Sequence, residues 1–122
     1  MTESLYKILR RDEAAAAERA DARSFHGTAL DRRDGFIHLS YGRQVAGTLA
    51  CHFRDADEVV LLRVEAAALP PGALRAEPSR GGELFPHLHA PLPWRAVVER
   101  LRLRRGADGA FVIPDHVHVP SL

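Results

Sequence analysis

The chain has little cysteine, methionine or tryptophan, since each occurs once in 122 residues. A single cysteine, Cys51, excludes an intramolecular disulfide framework and favours a reducing compartment. Its position near the end of an amphipathic segment predicts a buried or half-buried thiol. The chain also lacks a long apolar run, and its N-terminal MTESLYKILRR carries an acidic residue early, unlike a signal peptide. We therefore expect a cytoplasmic protein without a membrane partner.

An excess of charge is missing as well. The 17 basic and 16 acidic residues give a formal net charge of +1, which argues against nucleic-acid binding by bulk electrostatics. A hydrophobic content of 46% in 122 residues is enough for one compact core. We expect a single domain over residues 1–122, with residues 115–122 as a loosely held tail.

The hydrophobic periodicity predicts a small α+β fold with mixed or antiparallel sheets and two main helices. The predicted strands are 5–9, 37–40, 59–64, 74–77, 84–88, 97–103 and 110–113, and the predicted helices are 12–22 and about 41–53. Residues 24–33 are expected to be a loop. Residues 59–64 are continuously aliphatic, which predicts a central strand packed against the face of the second helix that carries Val45, Leu49 and Phe53.

The segment DGFIHLSYGRQ, residues 34–44, is the most informative part of the chain. Strand side chains alternate between faces, so His38 and Ser40 should point one way while Ile37 and Leu39 point the other. A helix should begin directly afterwards, with Ser40 as its N-cap. Because a helix N-terminus offers unpaired backbone N–H groups, those of residues 41–43 are predicted to form a seat for phosphate or carboxylate.

Seven histidines are a generous supply for a chain of this length. His38 and His87 are polar groups in apolar strand contexts, and we expect them to face one cavity where they can be hydrogen-bonded. A purely structural role, with each imidazole bonded to a loop carbonyl, is the alternative. His87 with His89, and His116 with His118, form His-X-His pairs that suit zinc, iron or nickel. Neither pair has a carboxylate or cysteine at motif spacing, so no metal is expected.

Four polar residues lie in or just before the turn-rich PSRGG, residues 78–82. Arg75 and Glu77 share a strand face by the two-residue period, and Ser79 and Arg80 follow in the turn. In a functional interpretation, Arg75 or Arg80 binds an anionic ligand while Glu77 orients a hydroxyl or stabilises a cationic transition state. A surface ion pair between Glu77 and these arginines is the alternative.

These segments resemble a known family. YKI, GTALDRRDGFIHLS, RQVAGTLACHF, VVLLRVE and EPSRGGELFPHLHAPLP, over residues 6 to about 114, are similar to the domain-of-unknown-function 952 family. The combination of DGFIHLS and FPHL is specific. Two positions depart from the family pattern, because Ala76 stands where tryptophan is usual before EPS and His89-Ala90 replaces the usual Tyr-Gly after FPHL. The first removes an aromatic stacking wall, and the second argues against His89 as a metal ligand common to the family.

The resemblance implies a fold similar to the ADP-ribosyltransferase superfamily, although the family has no established activity. In that superfamily an early-strand histidine holds the ribose of NAD, a later serine or tyrosine lies near the nicotinamide, and a late glutamate stabilises an oxocarbenium-like transition state. His38 matches the early histidine, Ser40 accompanies it, and Glu77 matches the late acid, though earlier in the chain than expected. His87 and the arginines resemble the phosphate-holding pockets of the RNA 2′-phosphotransferase branch.

We therefore expect a polar cavity that binds an anionic small molecule, either nucleotide-like, of the NAD or ADP-ribose type, or otherwise phosphorylated, with transferase-like chemistry. The expected catalytic residues are His38, Glu77 and His87, and the expected cofactor-binding residues are Ser40, Arg75, Ser79 and Arg80. Two alternatives remain at this stage. One is a non-catalytic binding or sensor protein, and the other is a metal-dependent enzyme that uses the His-X-His pairs.

Overall fold

A computed structural model describes residues 4–20 and 22–118, which form nine strands and four α-helices. In chain order the elements are β1 (Leu5–Arg10), α1 (Arg11–Arg19), β2 (Ser24–Phe25), α2 (Ala29–Asp34), β3 (Ile37–His38), β4 (Ser40–Tyr41), α3 (Val45–His52), β5 (Glu58–Val64), β6 (Leu74–Pro78), β7 (Leu84–Leu88), β8 (Leu92–Pro93), β9 (Val97–Arg104) and α4 (Asp115–His118). The small α+β fold is thereby confirmed.

Two sheets build the frame of the molecule. The larger has the strand order β4-β1-β5-β9, and the smaller has the order β3-β7-β6. A further pair joins β2 to β8. Adjacent strands are antiparallel throughout the described part. The position of β5 between β1 and β9 confirms the predicted central strand.

Alternation along β5 divides the core into two clusters. Val59 and Leu61 pack with Val45 and Leu49 of α3, and Phe53 borders the same cluster. The next side chains of β5, Val60 and Leu62, belong to the second cluster, which also contains Leu5, Leu9 and Leu88. Burial of both faces explains why this strand has an almost continuous aliphatic sequence rather than an alternating one. The predicted packing of α3 on β5 is confirmed.

The predicted strand 37–40 is interrupted at Leu39. β3 pairs with β7 in the smaller sheet, whereas β4 pairs with β1 in the larger one. Between them the Leu39 N–H donates a 3.1 Å hydrogen bond to the carbonyl of Pro86. The chain therefore passes from one sheet to the other at this residue.

The predicted loop over 24–33 is wrong, because it contains β2 and α2. The Thr28 hydroxyl accepts a 3.2 Å hydrogen bond from the Asp31 N–H, and an Asp31 carboxylate oxygen accepts a 2.9 Å bond from the Thr28 N–H. This reciprocal pair is a capping box that starts the helix. Gly35 ends it in the left-handed conformation, with φ of 86°.

The C-terminal predictions are also corrected. Residues 110–113 form no strand, only a single bridge between Arg105 and Phe111. The predicted loose tail forms α4 over Asp115–His118, whose Val117 is fully buried, while residues 119–122 lie outside the described residues. Cys51 is exposed rather than buried, because the inward face of α3 is set by Val45 and Leu49. No described helix combines the length and apolarity needed to cross a membrane.

Candidate functional site

A cavity of about 520 Å³ is lined by residues of both sheets. β4 pairs only with Leu5 and Tyr6 of β1. The next residues of β1, from Lys7 to Arg10, have no strand partner on that side within the described chain, and this unpaired edge forms part of the cavity wall. His38 and Ser40, on either side of the sheet switch, line the cavity together. Of the other predicted site residues, Ser79, Arg80 and His87 line it, and Arg75 and Glu77 do not.

His38 is anchored by the buried Asp31 carboxylate. The Nδ1 atom of His38 lies 2.6 Å from Asp31 Oδ1, and the His38 backbone N–H donates to the same oxygen at 3.1 Å. Lys7 Nζ donates to both Asp31 and the His38 carbonyl, with its ammonium 2.8 Å from Asp31 Oδ2. Asp31 of α2 and Lys7 of β1 thus neutralise each other and together fix the orientation of the His38 imidazole.

The Lys7–Asp31 pair is held in its charged form by hydrogen bonding. Burial alone would raise the pKa of the Asp31 carboxyl, but hydrogen bonds from His38 and Lys7 outweigh it and hold that pKa well below its usual range. Burial lowers the pKa of Lys7, and the nearby Asp31 carboxylate acts in the opposite direction. A charge this deep is tolerated only when it is paired.

The second nitrogen of His38 meets another carboxylate. Its Nε2 lies 3.0 Å from Asp34 Oδ2 at the end of α2, and the two side chains are 29% and 31% exposed. A carboxylate only accepts hydrogen bonds, and a neutral imidazole carries one N–H, so both contacts are donated only by the imidazolium form. A hydrogen bond from Arg33 lowers the pKa of Asp34, which keeps this carboxylate ionised.

His87 is held in a similar way by a carboxylate of β6, the strand on the other flank of β7. Its Nδ1 lies 2.9 Å from Glu77 Oε1, and the same oxygen is 2.7 Å from His89 Nε2. Hydrogen bonds from His89 and His87 lower the pKa of Glu77. The Phe36 ring stacks on His87 with centroids 4.0 Å apart and an interplanar angle of 21°. The predicted surface ion pair of Glu77 with Arg75 or Arg80 is therefore wrong.

The two imidazoles are neighbours. His38 and His87 are register partners across β3 and β7, and their ring centroids are 5.7 Å apart. The expectation that they face one cavity is confirmed. Arg75 is also opposite His87, on β6, but it is exposed and outside the lining. Its role in ligand binding stays a prediction.

The cavity has an arginine and two hydroxyls on its remaining side. The Arg80 guanidinium lies 5.0 Å from the centroid of the Phe85 ring. Ser40 and Thr48 contact each other through their hydroxyls at 3.2 Å, and both line the cavity. These groups supply a cation and two hydroxyls that donate or accept hydrogen bonds.

The predicted anion seat at the start of the second helix is not open to this cavity. A 3-10 turn over Gly42–Gln44 precedes α3, and the Tyr41 N–H donates to the Gln44 side chain. Gly42 is packed so closely on α4 that a β-carbon there would collide with the Val117 carbonyl oxygen. Ser40 bonds Thr48 instead of capping the helix. The predicted N-cap is thus wrong, and the backbone N–H groups of residues 41–43 do not line the cavity.

The His-X-His pairs have separate carboxylate partners. His87 and His89 share Glu77, whereas His116 bonds Glu99 at 3.0 Å. Over residues 4–20 and 22–118, no group of three or more histidine, cysteine or acidic side chains has an arrangement that could hold a metal ion. The geometry gives the metal-dependent alternative no support.

Sequence reasoning missed the residues that hold His38. Lys7 in LYKIL carried a signal, since a lone lysine inside an apolar strand needs a buried partner. Asp31 also had one, because Thr28 followed by Asp31 has capping-box spacing. Neither signal reveals that the two side chains meet, since they come from distant parts of the chain.

Comparison with known proteins shows the family and supports the fold. The sequence model of the family described as "Protein of unknown function (DUF952)" matches residues 8–100. The crystal structure of protein CC0527 from Caulobacter crescentus is similar, with 44% identity over 95% of this chain and 99% of that chain and a TM-score of 0.81. The solution NMR structure of CC0527 gives 46% identity over 93% and 95% of the two chains and a TM-score of 0.76. No curated protein matches. The chain thus belongs to the DUF952 family of proteins of unknown function.

Proposed function

We propose that the cavity binds a small phosphate-bearing ligand of the nucleotide class, such as ADP-ribose or NAD. The observation that carries this proposal is that the other cationic side chains of the cavity wall are paired with carboxylates, whereas Arg80, among the described residues, is not. Lys7 is paired with Asp31, Arg10 with Asp55 and Arg33 with Asp34. Arg80 has no carboxylate within ion-pair distance in the described part of the chain.

An arginine in this position suits a phosphate group. The guanidinium presents several N–H donors in a plane and binds phosphate oxygens through two parallel hydrogen bonds. Arg80 packs on Phe85, so part of its side chain is already ordered before a ligand arrives. The two imidazoles and the hydroxyls of Ser40 and Thr48 supply further donors on the facing walls.

The size of the cavity fits the same class of ligand. Small-molecule sites typically enclose roughly 300–1,000 Å³, and this cavity encloses about 520 Å³. The resemblance to ADP-ribosyltransferases would place the ribose of a nucleotide against His38. Glu77 lies outside the lining and bonds His87, so we assign it to orienting His87 rather than to direct contact with a transition state. A cytoplasmic location remains part of the proposal.

Thermal-shift and calorimetric titrations test the proposal. A ligand that binds the native state raises the melting temperature by mass action, so ADP-ribose, NAD, AMP and pyrophosphate are compared with adenosine, which has no phosphate. We expect at least one phosphate-bearing ligand to bind and adenosine to give no shift. Equal shifts with adenosine would show that phosphate recognition is not the basis of binding.

Matched variants locate the binding to the cavity. Arg80→Met should weaken the binding of the phosphate-bearing ligand about tenfold or more, since a charge-assisted hydrogen bond contributes roughly 1.5–3 kcal/mol. Arg95→Met is the control, because Arg95 is exposed and lies outside the cavity lining. His38→Ala should also weaken binding, whereas replacing the exposed His118 should not. Equal affinities for Arg80→Met and Arg95→Met would contradict the proposed site.

A further inference from the structure

The two cavity histidines share one arrangement. Each has its Nδ1 on a carboxylate, at 2.6 Å for His38 with Asp31 and at 2.9 Å for His87 with Glu77. Because an ionised carboxylate only accepts, each Nδ1 carries the hydrogen, and the reactive atom of each ring is Nε2. Asp31 and Glu77 thus act as positioning residues for two imidazoles whose centroids are 5.7 Å apart.

The two Nε2 atoms differ in their surroundings. His38 Nε2 lies 3.0 Å from Asp34 Oδ2, a contact that favours a hydrogen on this nitrogen because the carboxylate only accepts. His87 Nε2 has no hydrogen-bond partner among residues 4–20 and 22–118, and it is not among their buried polar atoms that lack one. The His87 side chain is 5% exposed and the residue lines the cavity, so Nε2 is the ring atom left to accept a proton there. One imidazole is therefore set as an acid and the other as a base.

We propose that His38 and His87 are the general acid and general base of a phosphodiester hydrolase. The inference rests on the proposed function, because it requires Arg80 to bind the non-bridging phosphate oxygens in the same cavity. The substrate class is a small nucleoside phosphodiester, such as a 2′,3′-cyclic nucleotide.

The reaction needs water as its only co-reactant. His87 Nε2 accepts a proton from a water molecule while the water oxygen forms a bond to phosphorus. The ester P–O bond breaks, and the leaving alkoxide takes the proton of His38 Nε2 in the position that Asp34 occupies in this structure. With a 2′,3′-cyclic nucleotide the leaving oxygen stays on the same ribose as a free hydroxyl, so the product is a single nucleoside monophosphate. The proton on His87 then returns to His38 through solvent, and Asp34 accepts it as a hydrogen bond again.

The neighbouring groups suit this division of roles. Phe36 stacks on His87 at 4.0 Å and fixes the plane of the base. The Lys7 ammonium is bound to Asp31 and to the His38 carbonyl, so it stabilises the carboxylate that orients the acid. Asp31 and Asp34 contact the His38 ring and Lys7 contacts its carbonyl. Glu77, which also binds His89, contacts His87, and the two imidazoles face each other.

Hydrolysis of 2′,3′-cyclic AMP followed by ³¹P NMR tests the proposal. We expect the parent protein to convert the cyclic diester to a phosphomonoester. His38→Ala and His87→Ala should each lower kcat by roughly 10²–10⁴-fold, the usual contribution of a general acid or base. Arg80→Met should act mainly on KM, and Arg95→Met should leave both parameters unchanged.

A change of leaving group separates the acid from the base. Bis(4-nitrophenyl) phosphate releases a stabilised phenolate that needs no proton, so loss of the acid should matter little with this substrate. We expect His38→Ala to hydrolyse it within about tenfold of the parent protein, whereas His87→Ala remains strongly impaired. Equal impairment of both variants with both substrates would overturn the assignment of roles.

Glu77→Gln tests the positioning role. Glu77 is partly exposed and Asp31 is buried. Glu77→Gln is therefore expected to fold, and it leaves the buried Asp31 unchanged. It should lower kcat with little change in KM and shift the acidic limb of the pH–rate profile, because His87 loses its carboxylate partner. An unchanged profile would overturn this role.

The outcomes distinguish the two proposals. Binding of phosphate-bearing ligands without any hydrolysis of either diester would overturn the hydrolase and leave the binding function intact. Absence of both would overturn both. Hydrolysis that survives in His87→Ala at the rate of the parent protein would show that the activity arises elsewhere.

Discussion

Lys7 Nζ lies 2.8 Å from Asp31 Oδ2, and the two side chains are only 6% and 1% exposed. This buried ion pair joins the larger sheet to the short helix α2. It also connects the core to the candidate site, because the Asp31 carboxylate that neutralises Lys7 accepts hydrogen bonds from the ring and the backbone of His38. Stability and the orientation of the imidazole therefore depend on the same carboxylate.

Replacing Asp31 by alanine should destabilise the protein by about 3–5 kcal/mol, because it leaves the Lys7 ammonium buried without its partner. The double variant Lys7→Met with Asp31→Leu should be markedly more stable than Asp31→Ala, since both charges are removed together. Urea denaturation measures both changes. Asp55→Ala is the control, because Asp55 is 79% exposed in its pair with Arg10, and should cost about 1 kcal/mol or less. Equal costs for the two alanine variants would contradict a stabilising role of the buried pair.

The lowered pKa of Asp31 predicts a loss of stability in acid. The unfolded chain, whose aspartates have a pKa of about 3.9, binds more protons than the folded chain as the pH falls. The contribution of Asp31 is therefore complete above about pH 5 and declines progressively below it. Urea midpoints between about pH 6 and 2.5 should fall less steeply in Asp31→Asn than in the parent protein. Parallel curves would show that Asp31 is not the group that carries the linkage.

Local sequence patterns were enough to identify the elements whose burial follows a simple period. The aliphatic run of β5 indicated a central strand, and alternation placed His38 and Ser40 on one side of the chain. The sheet switch at Leu39 could not be predicted, because the alternation of side chains continues across it. The switch depends on a hydrogen bond from the Leu39 N–H to the Pro86 carbonyl, which lies in a strand far away in the sequence. The final helix α4 was missed for a related reason, since Val117 is buried only by tertiary contact.

The candidate site was predictable where residue chemistry and strand alternation select the side chains, but not where a contact depends on tertiary structure. His38, Ser40, Ser79, Arg80 and His87 were selected by chemistry and all line the cavity. The carboxylates that orient the two imidazoles were not assigned to them, because each carboxylate lies on a different element from its imidazole and no helix or strand period links the two. Glu77 was assigned to the wrong partners, since neighbouring arginines in the sequence suggested a local ion pair.

The contact between α3 and β5 predicts the cost of removing leucine side chains. Leu61 is fully buried and Leu49 is 3% exposed, so either change to alanine should cost about 2–5 kcal/mol. Leu84→Ala is a matched control, because Leu84 is 50% exposed and should change stability by about 0.5 kcal/mol or less. Thermal and urea denaturation would measure the differences. A control variant as unstable as Leu61→Ala would contradict this description of the core.

Two glycines at the start of the second main helix should respond to substitution in opposite ways. A β-carbon at Gly42 would collide with the Val117 carbonyl oxygen, so Gly42→Ala must displace α4. Overpacking of this kind costs about 1–3 kcal/mol.

Gly47 of α3 is exposed, and a β-carbon there would meet only the end of the Arg80 side chain at 3.2 Å. Because alanine is the better helix former by about 1 kcal/mol, Gly47→Ala should preserve or raise stability. Urea denaturation of both variants compares the free energy of unfolding for a change in the turn before α3 with that for a change inside α3. A Gly42→Ala protein as stable as Gly47→Ala would show that α4 does not rest on this turn.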